Sequence, residues 1–288
     1  MPEPTDLPEI SDGDLGPIVK KICSGDLHGD RLIEPIGSSI GRATIGIYRV
    51  SGSAQPDSGK PEPWSAVLKI VDVDADPAGQ LEFELSGSPE FLAIGNGLRP
   101  AVCYGTQDRG RSERWIWSED LTDVSQPTWT DSVFLNVARD IGKFHANSIG
   151  KVPPGEWRRQ GIYGSIMVSF GLAGSLERLP ETASNALASP IFGETGVKAI
   201  AAVLQNYEAV ANGLKHLTTV LVHNDCHVGN LYPIEKNGVH METVAIDWAT
   251  AGLGPLGEDA GNLIAVAVRR SQVDLDNFID LERTTFDR

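Results

Sequence analysis

The sequence predicts an α+β fold, in which an N-terminal lobe built on an antiparallel sheet precedes a larger, mostly helical C-terminal lobe. Two runs of β-branched and aromatic residues, at 45–50 and 66–71, are typical of strands, and the loop between them is rich in Gly, Ser and Pro. A segment at 79–96 follows as the main helix of this lobe. Farther along, apolar residues over 134–145 recur in steps of three and four, which indicates an amphipathic helix.

The order of these segments gives the expected domain boundaries. Residues 1–16 are rich in Pro, Asp, Glu and Gly, and we expect a disordered acidic tail there. The N-terminal lobe then extends over 17–119 and opens on a short helix at 18–22. The C-terminal lobe occupies 120–288 and contains a second long helix at 197–214.

The chain carries a strongly acidic balance of charge. Its 288 residues include 24 Lys and Arg against 39 Asp and Glu, which gives a formal net charge of −15. Such a surface repels nucleic acid and anionic membranes, so we expect no partner of either class. A neutral or cationic small molecule fits this charge better. Alternatively, the acidic charge only keeps the protein soluble.

Cysteine and hydropathy patterns indicate the compartment. The three cysteines, Cys23, Cys103 and Cys226, are odd in number and widely spaced, which argues against a disulfide framework or a zinc knuckle. No apolar run approaches the roughly 20 residues of a membrane helix, and the N-terminus lacks the pattern of a signal peptide. We therefore expect a cytoplasmic protein, whose oligomeric state these patterns leave open.

A dense cluster of His, Asp and Asn side chains follows an apolar strand within residues 221–230. Two further apolar runs come next, and Asn237-Gly238 between them is a strong signal for a hairpin. A hairpin brings its two ends together. Asp225 and Asn230, which precede it, should therefore converge with Asp247, which follows it.

Two carboxylates and an amide at one point suit the binding of a nucleotide with Mg²⁺. This ion prefers oxygen ligands and is usually held by one or two carboxylates together with phosphate and water. Asn230 and Asp247 are the predicted metal ligands. Asp225 is the predicted catalytic base, which accepts the proton of the hydroxyl group that attacks the phosphoryl group. The expected cofactors are ATP and Mg²⁺.

Lys69 lies in the middle of the second strand-like run. A buried lysine is costly unless it is paired, so we expect it to bind phosphates and to meet a glutamate on the following helix. Glu84 is the predicted partner, and Glu82 is the alternative. Upstream, the segment from Gly37 to Gly41 either forms a plain turn or is a phosphate-binding loop whose backbone amides face the nucleotide.

These residues resemble motifs of the aminoglycoside phosphotransferase and choline kinase superfamily. His223–Asn230 resembles the HGDxHxGN catalytic loop of that superfamily, with Asn224 in place of the usual glycine, and Val244–Trp248 resembles its metal-binding IDW motif. Shorter segments match in family order: the strand with the nucleotide-binding lysine at Val67–Lys69, the inter-lobe hinge at Trp117–Leu121, a helix motif at Ile141–Ala146 and the segment after the metal motif at Gly254–Leu263.

The resemblance implies a bilobal protein-kinase-like fold that binds its nucleotide between the lobes. It implies transfer of the γ-phosphoryl group of ATP to a hydroxyl group of an aminoglycoside-, macrolide-, sugar- or choline-like compound. It also implies that the hinge backbone reads adenine, which makes Ser118 and Asp120 candidate nucleotide-binding residues. Asp259 is implied as a brace of the catalytic loop.

Two other classes of protein are alternatives. His223, Asp225 and His227 spell HxDxH and could form a metallohydrolase centre, although the other four histidines form no recognisable ligand pair. A catalytically weak pseudokinase would bind a nucleotide without turning it over. Against that alternative, the lysine, the base and both metal ligands of a phosphotransferase are all present.

Overall fold

The computed structural model describes residues 7–36, 43–56, 59–122, 124, 128–151, 159–160, 172–184 and 189–269. The first part of the chain forms α1 (Asp12–Cys23), β1 (Asp26–Pro35), β2 (Thr44–Gln55), β3 (Glu62–Asp72), α2 (Pro77–Ser86), α3 (Pro89–Leu92), β4 (Leu98–Pro100), β5 (Cys103–Asp108) and β6 (Glu113–Glu119). The second part forms α4 (Asp131–Ser148), β7 (Arg159–Gln160), α5 (Leu172–Ser184), α6 (Ser189–Gln205), α7 (Tyr207–Leu214), β8 (Thr219–Val222), β9 (Leu231–Lys236), β10 (Val239–Ala245), β11 (Gly252–Pro255) and α8 (Glu258–Arg269).

A five-stranded antiparallel sheet forms the N-terminal lobe, in the order β1-β2-β3-β6-β5. Its register aligns Ile47, Lys69 and Ile116 in one row across β2, β3 and β6. Side chains alternate between the two faces of a strand, so the neighbouring Leu68 and Trp117 point to the opposite face. Those two residues are fully buried in the core of this lobe. The row that contains Lys69 therefore lies on the face turned away from this core.

Helix α1 packs its apolar face, which includes Leu15, against that core and begins at Asp12. The expected disordered tail over 1–16 is therefore wrong from Asp12 onward. The Ser11 hydroxyl accepts a hydrogen bond from the N–H of Asp14, and the Asp14 carboxylate accepts one from the N–H of Ser11. The acidic composition that suggested a tail thus belongs to a capping box that starts a helix.

Two predicted helices are each divided. The segment 79–96 forms α2 and the short α3, because Gly87 ends the first helix and Pro89 starts the second. The segment 197–214 is shared by α6 and α7, which meet at Asn206. In both cases the spacing of apolar residues correctly predicted helical structure. The point at which each helix is interrupted depends on individual residues that this spacing does not show.

The predicted hairpin is formed by β9 and β10, and Asn237 and Gly238 make its turn with φ of 54° and 74°. Two positive φ values are typical of the type I′ turn, whose twist matches that of the paired strands. At the other end, the N–H of Ile246 donates to the carbonyl of Asn230 at 3.0 Å. Strand β4 pairs with β10 in parallel. A strand from the N-terminal half is therefore hydrogen-bonded to the strand that leads to Asp247.

The core of the C-terminal lobe lies between α4 and this hairpin. Phe134 and Phe144 of α4 are fully buried in it, and Trp248 meets Phe91 of α3 edge to face with ring centroids 4.9 Å apart. The second core therefore includes an element of the N-terminal half, which fixes α3 beside the end of the hairpin. Among the helices in the described ranges, none combines the length and apolarity needed to cross a membrane.

The hairpin turn predicts opposite effects for two glycine substitutions. Gly238→Ala should lower the free energy of unfolding by about 1–2 kcal/mol, because a Cβ at positive φ approaches the following carbonyl oxygen. Gly213→Ala is the matched control in α7, where a Cβ would meet nothing within 4 Å. That control should raise the free energy of unfolding by about 0.5–1 kcal/mol, as measured by urea denaturation. Equal effects of the two changes would contradict the turn.

Candidate active site

Lys69 stands on the sheet face that is turned toward α2 and Asp247. Its Nζ lies 2.6 and 2.8 Å from the two carboxylate oxygens of Glu82 on α2, and 2.9 Å from Oδ1 of Asp247. The Lys69 side chain is only 14% exposed and that of Glu82 only 8%. A buried ammonium requires such partners. Because the partners come from both halves of the chain, this ion-pair cluster connects the sheet, α2 and the end of the hairpin.

The partner of Lys69 on α2 is Glu82, and the prediction of Glu84 is wrong. The carboxylate of Glu84 is instead hydrogen-bonded to Gln80, one turn earlier on the exposed face of the helix. Residues two positions apart on an α-helix point in directions about 200° apart, so only one of the two glutamates can face the sheet. Glu82 shares the buried face with Leu85.

The three charged groups of this cluster shift one another's pKa values to different extents. Burial opposes the charge of Lys69, but the carboxylates of Glu82 and Asp247 outweigh it and hold the pKa of Lys69 well above its ordinary value. Full burial raises the pKa of Glu82, and Lys69 offsets this only in part. Burial also acts to raise the pKa of Asp247, but here Lys69 prevails and the pKa is lowered. Asp247, whose side chain is 44% exposed, thus presents a negative charge to the cleft at neutral pH.

Glu82→Gln should lower the free energy of unfolding by about 2–4 kcal/mol, because it leaves the buried ammonium of Lys69 with one charged partner instead of two. Urea or thermal unfolding at neutral pH measures this change. Glu84→Gln is the matched control on the same helix and should stay within about 0.5 kcal/mol of the wild type, since it loses only an exposed bond. If the two variants are equally stable, Glu82 does not carry the ion pair.

Asp225 lies on the loop between β8 and β9, and two side chains orient its carboxylate. Asn230 Nδ2 donates to Asp225 Oδ2 at 2.9 Å, and His227 Nε2 lies 3.5 Å from the same oxygen. The N–H of Gly229 donates to His227 Nδ1 at 3.0 Å, so a neutral His227 carries its proton on Nε2, toward Asp225. The Asp225 side chain is 38% exposed. It is therefore held in place and still open to a ligand.

Asp259, in the first turn of α8, holds this loop from behind. Its Oδ1 accepts from the N–H of Asn224 at 2.7 Å, and its Oδ2 accepts from the N–H of His223 at 2.8 Å. His145, near the end of α4, places Nε2 3.0 Å from the same Oδ2. Burial acts to raise the pKa of Asp259, but the bond and charge of His145, with His223, outweigh it and lower the pKa. These bonds correspond to the bracing role that the resemblance implies.

The ring of His223 connects the loop to the strand end before Asp247. Its Nδ1 accepts from the N–H of Asp225 at 3.2 Å, and its Nε2 lies 2.9 Å from the carbonyl oxygen of Ile246, to which it donates. Both ring nitrogens are therefore engaged, and one neutral tautomer satisfies both bonds. The next residue, Asn224, has a φ of 66°. Glycine is favoured in that conformation and asparagine tolerates it, which explains the substitution within the motif.

Asp259→Asn should lower the free energy of unfolding by about 2–4 kcal/mol at neutral pH, because an NH₂ group replaces one of two buried oxygens that accept from donors. The lowered pKa means that the ionised carboxylate stabilises the fold above its unfolded pKa of about 3.9. This contribution is lost as pH falls through the folded-state pKa. The difference between the two proteins, measured by urea unfolding, should therefore shrink below about pH 4. A difference independent of pH would contradict an ionised Asp259.

A cavity of about 390 Å³ lies between the two lobes beside Lys69. Ser118 of the predicted hinge lines it, as do the predicted metal ligands Asn230 and Asp247. Apolar side chains form much of the remaining wall, among them Ile47, Val67, Ile116, Leu121 and Tyr232. The result is an apolar slot that ends at a cluster of charged and amide groups.

Another predicted nucleotide-binding residue does not belong to the wall of this cavity. Asp120 does not line it, because its carboxylate accepts from the N–H of Thr122 at 2.9 Å and from Arg49 Nε at 2.7 Å. Asp120 therefore stabilises the turn that follows the hinge. Gly37 and Gly41 lie outside the described residues.

Sequence reasoning missed several residues of the cavity wall. Ile36 follows β1, Phe91 lies on α3 and Tyr232 lies on β9, and none of the three belongs to a recognised motif. A signal existed only for Tyr232. It follows Asn230 by two residues at the start of a strand, where alternate side chains share a face.

Comparison with known families gives a match over residues 102–283, to the phosphotransferase enzyme family. The matched region spans more than half of the chain and includes Asp225, Asn230 and Asp247, while Lys69 precedes it. A comparison with curated proteins gave no match.

Several solved structures share the fold. Amicoumacin kinase hAmiN has a TM-score of 0.53 and 15% identity, covering 88% of this chain and 72% of its own. Aminoglycoside phosphotransferase APH(3'')-Id from Streptomyces rimosus has a TM-score of 0.53 and 13% identity, covering 88% and 84%. An aminoglycoside phosphotransferase from Alicyclobacillus acidocaldarius has a TM-score of 0.56 and 13% identity, covering 98% and 78%. These likenesses confirm the predicted bilobal, protein-kinase-like architecture.

Proposed function

Because the chain belongs to the phosphotransferase enzyme family, as its motifs predicted, we propose that it transfers the γ-phosphoryl group of ATP to a hydroxyl group of a small molecule. One observation carries the proposal. The cavity between the lobes is lined by a charged lysine, an amide and a carboxylate, Lys69, Asn230 and Asp247, and Asn230 is bonded directly to Asp225. Phosphoryl transfer needs these groups for charge neutralisation, metal binding and alignment of the attacking hydroxyl.

The shape of the cavity suits an adenine nucleotide. Val67 and Ile116 offer apolar surface to a purine, and Ser118 belongs to the hinge strand that would read its edge. Lys69 would bind the phosphates at the other end, where its ammonium is held by the carboxylates described above. Two structures of the same fold contain adenine nucleotides, ADP in one and AMP-PNP in the other, which favours ATP here.

Asn230 and Asp247 fit the requirements of Mg²⁺. The Nδ2 of Asn230 donates to Asp225, so its Oδ1 is the atom left to coordinate a cation. Asp247 uses Oδ1 for Lys69, and its carboxylate is nearly half exposed. One carboxylate and one amide oxygen, completed by phosphate and water, are typical of magnesium sites. When bound there, the ion would neutralise the charge of the phosphates.

Asp225 is the proposed catalytic base. Asn230 and His227 orient its carboxylate, and part of it is open toward a bound substrate. From that position it would align the substrate hydroxyl and accept its proton as the new bond to phosphorus forms. The rigid loop behind it, anchored on Asp259, limits the directions in which the carboxylate can point.

The metallohydrolase alternative conflicts with the hydrogen bonding of His223. Both of its ring nitrogens are engaged, one by the N–H of Asp225 and the other by the carbonyl of Ile246, so neither is left for a metal. In the part of the chain that the structure describes, no group of three or more His, Cys, Asp or Glu side chains could hold a metal ion. A pseudokinase would bind the nucleotide without turnover, and the assays below distinguish it.

The acceptor class is proposed more broadly. A hydroxyl-bearing compound of the aminoglycoside, macrolide, sugar or choline kind is consistent with the family, and the net charge of −15 favours a cation. The same charge disfavours nucleic acid and anionic membranes as partners. All three cysteines are free thiols, which fits the proposed cytoplasmic location.

Asp225→Asn should lower kcat by at least about a thousandfold, because the amide can hold the hydroxyl but cannot accept its proton. The measurement is a coupled assay for ATP-dependent phosphorylation, run with an acceptor found by screening hydroxyl-bearing antibiotics and metabolites. Affinity for magnesium–ATP, measured by calorimetry, should stay within about threefold of the wild type. A near-wild-type kcat in this variant would remove Asp225 from the base role.

Asp247→Ala serves as the contrasting variant in the same assays. It should weaken the binding of magnesium–ATP by at least about tenfold, because it removes the proposed carboxylate ligand and a partner of Lys69. Unchanged nucleotide affinity would rule out the metal role of Asp247. Wild-type binding of ATP with no turnover of any acceptor would instead favour the pseudokinase.

A further inference from the structure

Arg99, on β4, forms the centre of an ion-pair cluster next to the hinge. Its NH1 and NH2 groups donate to the two carboxylate oxygens of Glu119 at 2.8 and 3.2 Å. Its Nε donates to Oε1 of Glu242 on β10 at 2.9 Å, and NH1 also reaches the carbonyl of Pro100 at 3.2 Å. The Arg99 and Glu119 side chains are 26% and 23% exposed. One guanidinium therefore joins β4, β6 and β10 in a partly buried setting.

Glu119 is the last residue of β6 and lines the cavity next to Ser118. A second set of bonds fixes it. Its N–H donates to the carbonyl of Val102 at 2.8 Å, and its Oε2 accepts from the N–H of Val102 at 3.1 Å. Burial acts to raise the pKa of Glu119, but the bonds from Arg99 and Val102 outweigh it and lower the pKa. The carboxylate is thus ionised and turned toward Arg99.

The other arm of the cluster leads to the proposed metal ligand. Glu242 belongs to β10, which ends at Ala245, two residues before Asp247. Strand β4 is paired with the same strand, with Arg99 opposite Val244. The guanidinium of Arg99 therefore links the hinge to β10 three residues before that strand ends.

We propose that Arg99 is a positioning residue for nucleotide binding, which holds the hinge against the base and sets its distance from Asp247. The inference rests on the proposed function, since it assumes that the nucleotide occupies this cavity. Without the guanidinium, the Glu119 carboxylate would lose its counter-charge at the cavity wall, and the backbone of the hinge would open more often. The nucleotide would then bind to a site that has to be reordered first.

The geometry requires an arginine and not only a positive charge. The planar fork of Arg99 bonds to both oxygens of Glu119 and uses its third nitrogen for Glu242. The single ammonium of a lysine cannot reproduce that arrangement. Arg99→Lys should therefore behave more like Arg99→Met than like the wild type.

The first experiment compares Arg99→Met with the wild type in two readouts. The Kd of magnesium–ATP, measured by calorimetry, should rise by about tenfold, while kcat at saturating nucleotide should change by less than about threefold. Hydrogen exchange of the nucleotide-free protein should show faster exchange in peptides over 116–122. Arg109→Met is the matched control, because Arg109 is a partly buried arginine of the same lobe, paired with Asp14 and away from the cavity. That control should leave Kd and hinge exchange unchanged.

A double-mutant cycle tests whether Arg99 acts through Glu119. Glu119→Gln and Arg99→Met should each raise the Kd of magnesium–ATP. The Kd of the double variant should be no higher than that of the single variant with the higher Kd. Glu242→Gln removes only one arm and should raise the Kd by less, about twofold to fourfold. It also keeps the test valid if Arg99→Met fails to fold. Additive effects of the two changes at Arg99 and Glu119 would overturn the proposal.

The two hypotheses fail in different ways. If the wild type binds no ATP, the proposed function fails, and the exchange of peptides over 116–122 alone still tests the link between Arg99 and the hinge. If the wild type binds ATP and Arg99→Met binds it equally well, with unchanged exchange, the role of Arg99 is overturned and the proposed function stands. Full rescue by Arg99→Lys would reduce the role to plain charge and would also contradict the inference.

Discussion

The buried ammonium of Lys69 is the constraint on which the arrangement of the site depends. A charge at this depth is tolerated only with counter-charges, and among the described residues of its own sheet none is paired with it. Glu82 comes from α2 and Asp247 from the end of the hairpin, both within hydrogen-bond distance. The spacing of the two lobes is therefore one that lets Lys69 reach both carboxylates. The cavity lies beside this side chain.

A second constraint acts on the backbone of the loop between β8 and β9 and on the backbone at Asp247. Asn224 and Asp247 both adopt positive φ, 66° and 62°, which costs a residue with a side chain about 1–2 kcal/mol each. Hydrogen bonds and ion pairs offset that cost. Asp259 accepts from the backbone of the loop at Asn224, and Lys69 binds the carboxylate at Asp247. Strained backbone held by buried charges limits the directions in which the side chains of this loop and of Asp247 can point. Such a restriction suits the proposed phosphoryl transfer, which depends on alignment.

The parts of the fold that follow from local chemistry were predictable from the sequence. The Asn237-Gly238 turn and its flanking runs gave the hairpin, and the hairpin gave the convergence of its two ends. Contacts between distant segments that no motif marks were not predictable. The choice of Glu82 over Glu84 depends on the phase of a helix that pattern reading places only to within a residue or two. The ion pairs of Arg99 could not be predicted, because its partners are 20 and 143 positions away in the sequence and no motif marks them.

The balance of charge supports the proposal of a cation at the nucleotide site. Glu82, Asp225 and Asp247 bring three carboxylates to the region around Lys69, so negative charge is in excess before any phosphate arrives. A triphosphate would add several more negative charges at short range in a partly buried cleft, where Coulomb repulsion is weakly screened. Lys69 would bind the phosphates but could offset only part of this charge, because its own charge is already shared between two carboxylates. A divalent ion on Asn230 and Asp247 would therefore be a condition of tight nucleotide binding and not only an aid to the chemical step.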